Sequence, residues 1–222
     1  MDFIKGIYRD ILKRTGEAPV DTGYKSNSIQ PDCGKFFSAL FNKSFTPSIG
    51  IEYLVVGGPY NANDASILYP DADKNLFASR FRERIARFFA RAGLTPPTVV
   101  AGNSSSQIMV AQRDSIDNRY WVCGIKLTST NIRFDPTIVP PASPITNQLK
   151  IDFSFQKSDL STTTWSPPFK EFSLIGIQYL PTGYQPATLF QINYVAQEGI
   201  YVKDQNVSLD RSILLNFPPQ QI

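Results

Sequence analysis

The sequence predicts an α+β protein that is mainly β: an antiparallel β-sandwich with N-terminal amphipathic helices and a proline-rich arm. Aromatic residues make up 13% of the 222 residues, which also include 17 prolines, and this composition favours β-structure with long loops. After Pro96 and Pro97 the chain continues as short runs rich in β-branched and aromatic residues, which are typical of strands. Helical patterns occur only before these prolines. A chain of this length can bury a core without disulfides or metals.

The sequence of residues 1–29 predicts an N-terminal helix followed by a polar connector, and we expect the two to form a docking segment. Lys13 and Arg14 occupy the last turn of this helix and Gly16 follows it, which is a helix-stop pattern. The apolar residues recur at helical spacing: Phe3, Ile4, Ile7, Tyr8, Ile11 and Leu12. Two interpretations are open. The helix packs on its own domain, or Phe3, Ile7 and Ile11 dock onto another subunit.

Residues 30–222 form the predicted β-sandwich domain, with helical elements at about 31–43 and 75–92. The first of these has Pro31 near its start and apolar residues, among them Cys33 and Phe37, on one side. The second, "KNLFASRFRERIARFFARAG", is ambiguous. Phe77, Ser79 and Phe81 alternate as in a strand, but the length of the run favours a helix.

Two segments of the β region carry specific expectations. Residues 149–155 alternate, with the apolar side chains of Leu149, Ile151, Phe153 and Phe155 on one face and polar side chains on the other. This is the pattern of an antiparallel strand with one exposed face. The segment "RFDPTIVPPASPITN" has too many prolines for a sheet interior. We expect an extended arm or a long surface crossover there; as an arm, its residues Val139, Pro140 and Ile145 would contact a partner.

The run "IGIEYLVVGGPY" predicts a strand that ends in a turn at Gly57 and Gly58. A strand followed by glycines can hold a phosphate, but Pro59 has no N–H to offer and no Gly-Lys-Ser/Thr follows, so a nucleotide site is not expected. "DADKN" at 71–75 resembles the start of a calcium loop. Leu76 and Arg82 stand where such a loop needs a glycine and an acid, so no metal site is expected.

The chain has no histidine, which excludes Ser-His-Asp and Cys-His catalysis and most zinc chemistry. We therefore expect no enzyme activity and no cofactor. Cys33 and Cys123 are far apart in sequence and are expected to be reduced and buried. A hydrolase that uses paired carboxylates remains an alternative, with Glu52, Glu171, Glu198 and Asp152 as its candidate acids. Aromatic residues near loops could instead stack on sugars: Tyr60, Tyr69, Trp165 and Tyr184.

The densest basic cluster lies in the predicted helix at 75–92. Arg80, Arg84, Arg87 and Arg91 would share one helix face, with Glu83 beside them. The face is either simply solvated or contacts an acidic partner protein, since a guanidinium suits interface ion pairs. Nucleic acid is not expected, because no wider basic field accompanies the cluster. The start of the chain lacks a signal-peptide pattern, and no apolar run is long enough for a membrane span.

Taken in order, several segments resemble the tail-fibre and baseplate attachment proteins of tailed bacteriophages and related contractile injection machines. "GIEYLVVGGPYNANDAS" is similar to the family's strand followed by a polar loop, and Leu76 to Arg82 and Arg84 match its Leu-to-Arg segment. "PPFKEFSLIGIQYL" resembles a later strand through Phe169, Glu171, Ile175 and Gly176. The final strands are similar to the family's closing pair, with Lys203 and Arg211 in the basic places.

The resemblance covers most of residues 30–217 and implies a virion structural protein, made in the host cytoplasm, that joins a tail fibre or baseplate part to the particle. Other tail, baseplate or fibre subunits would be its partners, in a homo-oligomer or another multi-copy assembly. The loop after Gly58 would then face neighbouring subunits. The alternative is a carbohydrate-binding, receptor-recognition module that holds a glycan through Trp165 or Tyr184.

Overall fold

The computed structural model describes residues 4–35, 49–64, 68–69, 74–92, 109–134, 148–157, 159–160, 166–179, 186–202, 204 and 206–217. These residues are mostly β-structure. One long helix, α1, spans Lys74–Ala92, a 3-10 turn spans Ala62–Asp64, and residues 32–35 are helical. The strands are β1 Lys5–Arg14, β2 Val20–Asp21, β3 Lys25–Ile29, β4 Ile49–Pro59, β5 Met109–Arg113, β6 Tyr120–Lys126, β7 Ile132–Phe134, β8 Gln148–Phe155, β9 Pro168–Tyr179, β10 Pro186–Gln191, β11 Asn193–Val202 and β12 Val207–Asn216.

All of these strands belong to one continuous antiparallel sheet. Its order is β5-β6-β4-β9-β11-β3-β1-β12-β8-β7, with β10 beside β9 and β2 beside β1. The mainly β class is therefore confirmed. The predicted sandwich is not confirmed, because β3 links the two groups of strands into one sheet by pairing with β11 on one side and with β1 on the other.

The sheet curls so that its two halves face each other across the main hydrophobic core. We call β4, β5, β6, β9, β10 and β11 the covered half, and β1, β3, β7, β8 and β12 the open half. Inward side chains of the covered half, such as Leu54 and Phe172, meet those of the open half, such as Phe155 and Ile213, in one buried cluster. Trp121 is fully buried in it and donates its indole N–H to the Pro168 carbonyl at 3.1 Å.

Helix α1 lies on the outer face of the covered half and forms a second core there. Its buried residues recur at helical spacing: Phe77, Phe81, Ile85, Phe88 and Phe89. They pack against the outward side chains of β4, β6, β9 and β11, and each such burial contributes about 2 kcal/mol. The structure thus resolves the ambiguity of this segment in favour of a helix, because the strand-like alternation would have placed only part of this apolar set against the sheet.

The prediction of a helix at the N-terminus is wrong: Lys5–Arg14 is strand β1. It pairs with β12 in an unbroken register from Lys5 opposite Asn216 to Arg14 opposite Val207. Its side chains alternate, so that Tyr8 and Asp10 point into the molecule and Ile7 and Ile11 point outward. The same apolar residues fit a helical spacing, and only the ladder with a strand about two hundred positions away decides between the two. Strands β1, β2 and β3, which all lie before residue 30, are consequently part of the sheet.

Of the helix expected at about 31–43, the described part is the turn at 32–35, which includes the buried Cys33. The remainder lies outside the described residues. Both cysteines are free thiols and buried, as the sequence predicted. Burial raises the pKa of the Cys33 thiol to about 11, so this thiol is protonated and unreactive at neutral pH.

The alternation predicted for residues 149–155 is confirmed in β8, where Ile151, Phe153 and Phe155 are buried. The expectation for the glycine pair is wrong, because Gly57 and Gly58 lie inside β4 and pair with β6. A Cβ on Gly58 would come within 2.1 Å of the Pro168 carbonyl oxygen. This glycine is required because another strand's backbone approaches closely, and not because the chain turns there.

Candidate functional site

The most unusual chemistry of the covered half is a charged pair buried between α1 and the sheet. Arg84 of α1 is 4% exposed and Glu171 of β9 is 1% exposed, and the two form an ion pair. Tyr69 donates a hydrogen bond to Glu171 Oε1 at 2.6 Å, and Tyr194 donates one to Oε2 at 3.1 Å. The Arg84 guanidinium also lies 4.1 Å from the centre of the Tyr120 ring. The two opposite charges thus neutralise each other, although the Arg84 Nε has no hydrogen-bond partner among the described residues.

This network has no room for a substrate. The neighbouring cavity, lined by Arg84 and Arg87 among others, has a volume of about 10 Å³, which is space for roughly one water molecule. Glu171 is one of the four acids named from the sequence as candidates for hydrolysis, and it also stands in the attachment-protein motif. The geometry gives it the role of fixing α1 to β9, since a buried carboxylate held by a guanidinium and two hydroxyls is an acceptor with no access to solvent.

The same network predicts an abnormal alkaline titration. Burial, and then the negative charge of Glu171, raise the pKa of Tyr69 and of Tyr194 above the usual value. Because the folded state disfavours their ionised forms, it loses stability as the pH rises above about 10, where the unfolded chain ionises. We expect the tyrosinate absorbance of the native protein near that pH to fall short of the absorbance in denaturant, where all ten tyrosines titrate.

The variants Tyr69→Phe and Tyr194→Phe provide the control for this titration. Each should leave the native absorbance change unaltered and reduce only the part that appears on unfolding. A single titration of all tyrosines while circular dichroism still reports a folded sheet would contradict the assignment.

A second buried charged pair joins the two terminal strands inside the main core. Arg211 of β12 donates to both carboxylate oxygens of Asp10 on β1, at 2.7 and 2.8 Å, and Gln197 donates to Asp10 Oδ2 at 2.8 Å. The guanidinium lies 3.9 Å from the centre of the Phe172 ring. Phe172 follows Glu171 on β9, so successive residues of one strand face the two networks. Arg211, one of the basic residues of the resemblance, is therefore a core residue.

Four arginines were expected to share a contact face on α1; the side chain of Arg91 is not among those described, and the other three differ in exposure. Arg80 is exposed and Arg84 is buried. Arg87 forms a two-pronged ion pair with Asp114, at 2.9 Å for each bond. Of the three, Arg80 is the one whose side chain is exposed, so the expectation of one arginine face that binds a partner is corrected. Hydrogen bonds from Arg87 lower the pKa of Asp114 despite its burial, which by itself would raise that pKa.

The described residues add no second layer to the outer face of the open half, which we call the open face. The core that α1 forms contains no residue of β1, β8 or β12. Ile7 and Ile11 lie on the open face, half-buried, and belong to neither core cluster. Arg9 lies between them and donates to Asp21 Oδ1 at 2.9 Å, while Tyr24, 52% exposed, lies against its guanidinium. Two of the predicted contact residues are thus brought together, on a strand.

Beside β1, the open face deepens into a groove of about 440 Å³ that carries many polar side chains. Strands β8 and β12 form its floor, and the turn that precedes β7 forms one wall. Its lining residues are Thr128, Thr130, Asn131, Asp152, Phe153, Ser154, Gln156, Asp210, Arg211 and Ser212. Sequence reasoning missed this groove, except for naming Asp152. The signal was the alternation of hydroxyl and carboxyl residues along two strands, Asp152 and Ser154 on one and Ser208, Asp210 and Ser212 on the other.

No protein-family model, curated protein or solved structure matches this chain. Within the described residues, no three cysteine or acidic side chains gather as metal ligands. The described part of the chain contains no helix long and apolar enough to cross a membrane.

Of the remaining positions named from the sequence, Glu52 and Tyr60 have described side chains and the others do not. Glu52, named as a candidate catalytic acid, forms a 3.5 Å ion pair with Lys126. Tyr60, named as a candidate for stacking on sugars, already lies against the Arg113 guanidinium. The side chain of Glu198 is not among those described. Other residues named from the sequence lie outside the described residues: Phe3, Val139, Pro140, Ile145, Trp165, Tyr184 and Lys203.

Proposed function

We propose that the protein is a non-enzymatic structural part of a virion tail, which joins a tail-fibre or baseplate component to the particle through protein–protein contacts. The observation that carries this proposal is that the described residues cover the outer face of one half of the sheet and not that of the other. Helix α1 covers one outer face with a full apolar layer, whereas the described residues add no layer to the other. The sequence segments similar to phage attachment proteins support the same conclusion.

The chemistry of the open face near β1 suits a protein partner. Ile7 and Ile11 supply apolar area, Tyr24 supplies an aromatic ring, and Arg9 is already oriented by Asp21. Aromatic residues and arginine are enriched in protein interfaces, and a charge held in place beforehand loses less conformational entropy on binding. A stable contact should bury more than about 1,000 Å² in total, which requires neighbouring strands of the face to take part.

Replacing the two isoleucines of the open face with charged residues is therefore expected to weaken the binding of a partner. We expect the purified chain to self-associate, or to bind proteins encoded beside its gene, in sedimentation velocity and co-purification measurements. Ile7→Lys with Ile11→Lys should weaken that association by about tenfold or more, since a desolvated unpaired charge costs well over 1 kcal/mol.

Ile116→Lys is the matched control. Ile116 is 77% exposed, in the turn between β5 and β6 on the other half of the sheet, so its replacement should leave association unchanged. A chain that stays monomeric at every concentration and binds none of the neighbouring gene products would refute the proposed function. Equal effects of the two substitutions would show that the contact lies elsewhere.

A further inference from the structure

The floor of the groove on the open face contains two serine–aspartate pairs, each of which joins β8 to β12. Ser154 of β8 donates to Asp210 Oδ1 of β12 at 2.5 Å, and Ser212 of β12 donates to Asp152 Oδ1 of β8 at 2.6 Å. The two pairs are successive outward positions of the same ladder. A serine oxygen that donates one hydrogen bond can still accept others, and a carboxylate oxygen can accept more than one. The floor therefore presents closely spaced acceptors.

The wall of the groove adds side chains that can both donate and accept. Thr128 and Thr130 share a hydrogen bond of 2.7 Å between their hydroxyl oxygens. Asn131 donates to the Asp152 carbonyl at 3.0 Å, which holds the turn against β8. Gln156 donates to the Ser154 hydroxyl at 3.1 Å. These residues are held in place by hydrogen bonds within the protein, so little side-chain entropy would be lost when a ligand binds.

The charges around the groove argue against an ionic ligand. Asp152 forms an ion pair with Arg133 at 2.6 Å, and Lys150 lies 3.6 Å from the same carboxylate. Asp210 forms one with Lys13 at 2.5 Å. A metal cation would have to displace these basic groups, and an anion would meet two carboxylates. What remains is a neutral ligand with several groups that both donate and accept hydrogen bonds.

We infer that this groove binds a neutral oligosaccharide. Sugar hydroxyls match the lining because each can donate to a carboxylate oxygen and accept from a hydroxyl or amide. Bonds of hydroxyls to an ionised carboxylate are stronger than bonds between neutral groups. A volume of about 440 Å³ lies within the usual range for small-molecule sites. None of the described lining residues is an aromatic that the sequence named for stacking on sugars, and none belongs to β1.

The test uses the full chain on a printed array of neutral, sialylated and sulfated oligosaccharides, followed by calorimetric titration with the neutral compounds bound. Asp152→Asn keeps the size of the side chain but removes its charge. We expect it to weaken binding by about tenfold or more, the effect of losing a hydrogen bond to a charged group. Ser212→Ala, which removes the hydroxyl on the same carboxylate, should weaken binding in the same direction.

Asp117→Asn is the matched control, because Asp117 pairs with Arg119 at 2.6 Å with exposed fractions of 30% and 56%, against 30% and 53% for Asp152 and Arg133. It should alter thermal stability as little as Asp152→Asn and leave binding unchanged. The Ile7→Lys variant, whose position lies opposite Leu214 and not opposite a groove residue, should also bind normally. Silence on the whole array, binding of sialylated or sulfated compounds alone, or equal losses in Asp152→Asn and Asp117→Asn would each overturn the inference.

Discussion

Glu171→Gln is expected to lower the free energy of unfolding by about 3–5 kcal/mol, because it leaves the Arg84 charge buried without a counter-charge. The amide oxygen can still accept a hydrogen bond from Tyr69 or Tyr194, so the loss reports the charge and not the shape. For a chain of this length such a change lowers the thermal midpoint by about 10 °C. Chemical denaturation and calorimetry would measure both quantities.

Glu83→Gln makes the same chemical change on the exposed side of α1. Its carboxylate is 69% exposed and 3.9 Å from Arg87, so its replacement should cost less than about 1 kcal/mol. Adding Arg84→Met to Glu171→Gln should recover part of the stability, since it removes the uncompensated charge. If the double variant loses as much as the two single variants together, the pair is not coupled in the way we describe.

Asp10→Asn should have an effect of similar size, again about 3–5 kcal/mol. The carboxylate is fully buried, and Arg211 beneath the Phe172 ring would be left without its charge partner. Because Asp10 and Arg211 lie opposite each other on β1 and β12, the variant should loosen the pairing of the two terminal strands first. Hydrogen exchange of the β1 and β12 amides would show this as faster exchange than in β4 and β6.

Asp21→Asn is the control. Asp21 of β2 pairs with Arg9 on the outer face of β1, and 43% of the Asp21 side chain is exposed. It should leave both the thermal midpoint and the exchange pattern nearly unchanged. Uniform acceleration of exchange throughout the sheet by Asp10→Asn would show that the two terminal strands do not open as a separate unit.

The two experiments on the open face separate the two roles that we propose for it. The proposed protein contact is tested through Ile7 and Ile11, and the proposed glycan site is tested through Asp152 and its hydroxyl partner on β12. An attachment protein that touches both a neighbouring subunit and a glycan could do so through one layer of strands, since β1 and β12 are adjacent. Ile7→Lys should leave glycan binding intact, and Asp152→Asn should leave the protein contact intact, because neither position lies opposite a residue of the other region on the β1–β12 ladder.

The elements that sequence reasoning predicted well are those whose pattern is set by local packing. Strand β8 alternates over its whole length because one face meets the core, and α1 repeats its apolar residues because one face meets the sheet. The N-terminal segment was predicted wrongly because Ile7, Tyr8, Ile11 and Leu12 satisfy both a helical and a strand periodicity. Asp10 was the discriminating residue, but its partner Arg211 could not be recognised without the fold.

By itself, the sequence determined the mainly β class, the buried reduced cysteines, the position of α1 and the absence of histidine chemistry. Only the tertiary structure decided that the strands form one curled sheet, that Arg84 and Arg211 are core residues, that Gly58 is required by another strand, and that hydroxyl and carboxyl groups line a groove. The physical reason is that periodicity reports which side of an element is buried, whereas ion pairs, close backbone approaches and grooves depend on which distant elements lie side by side.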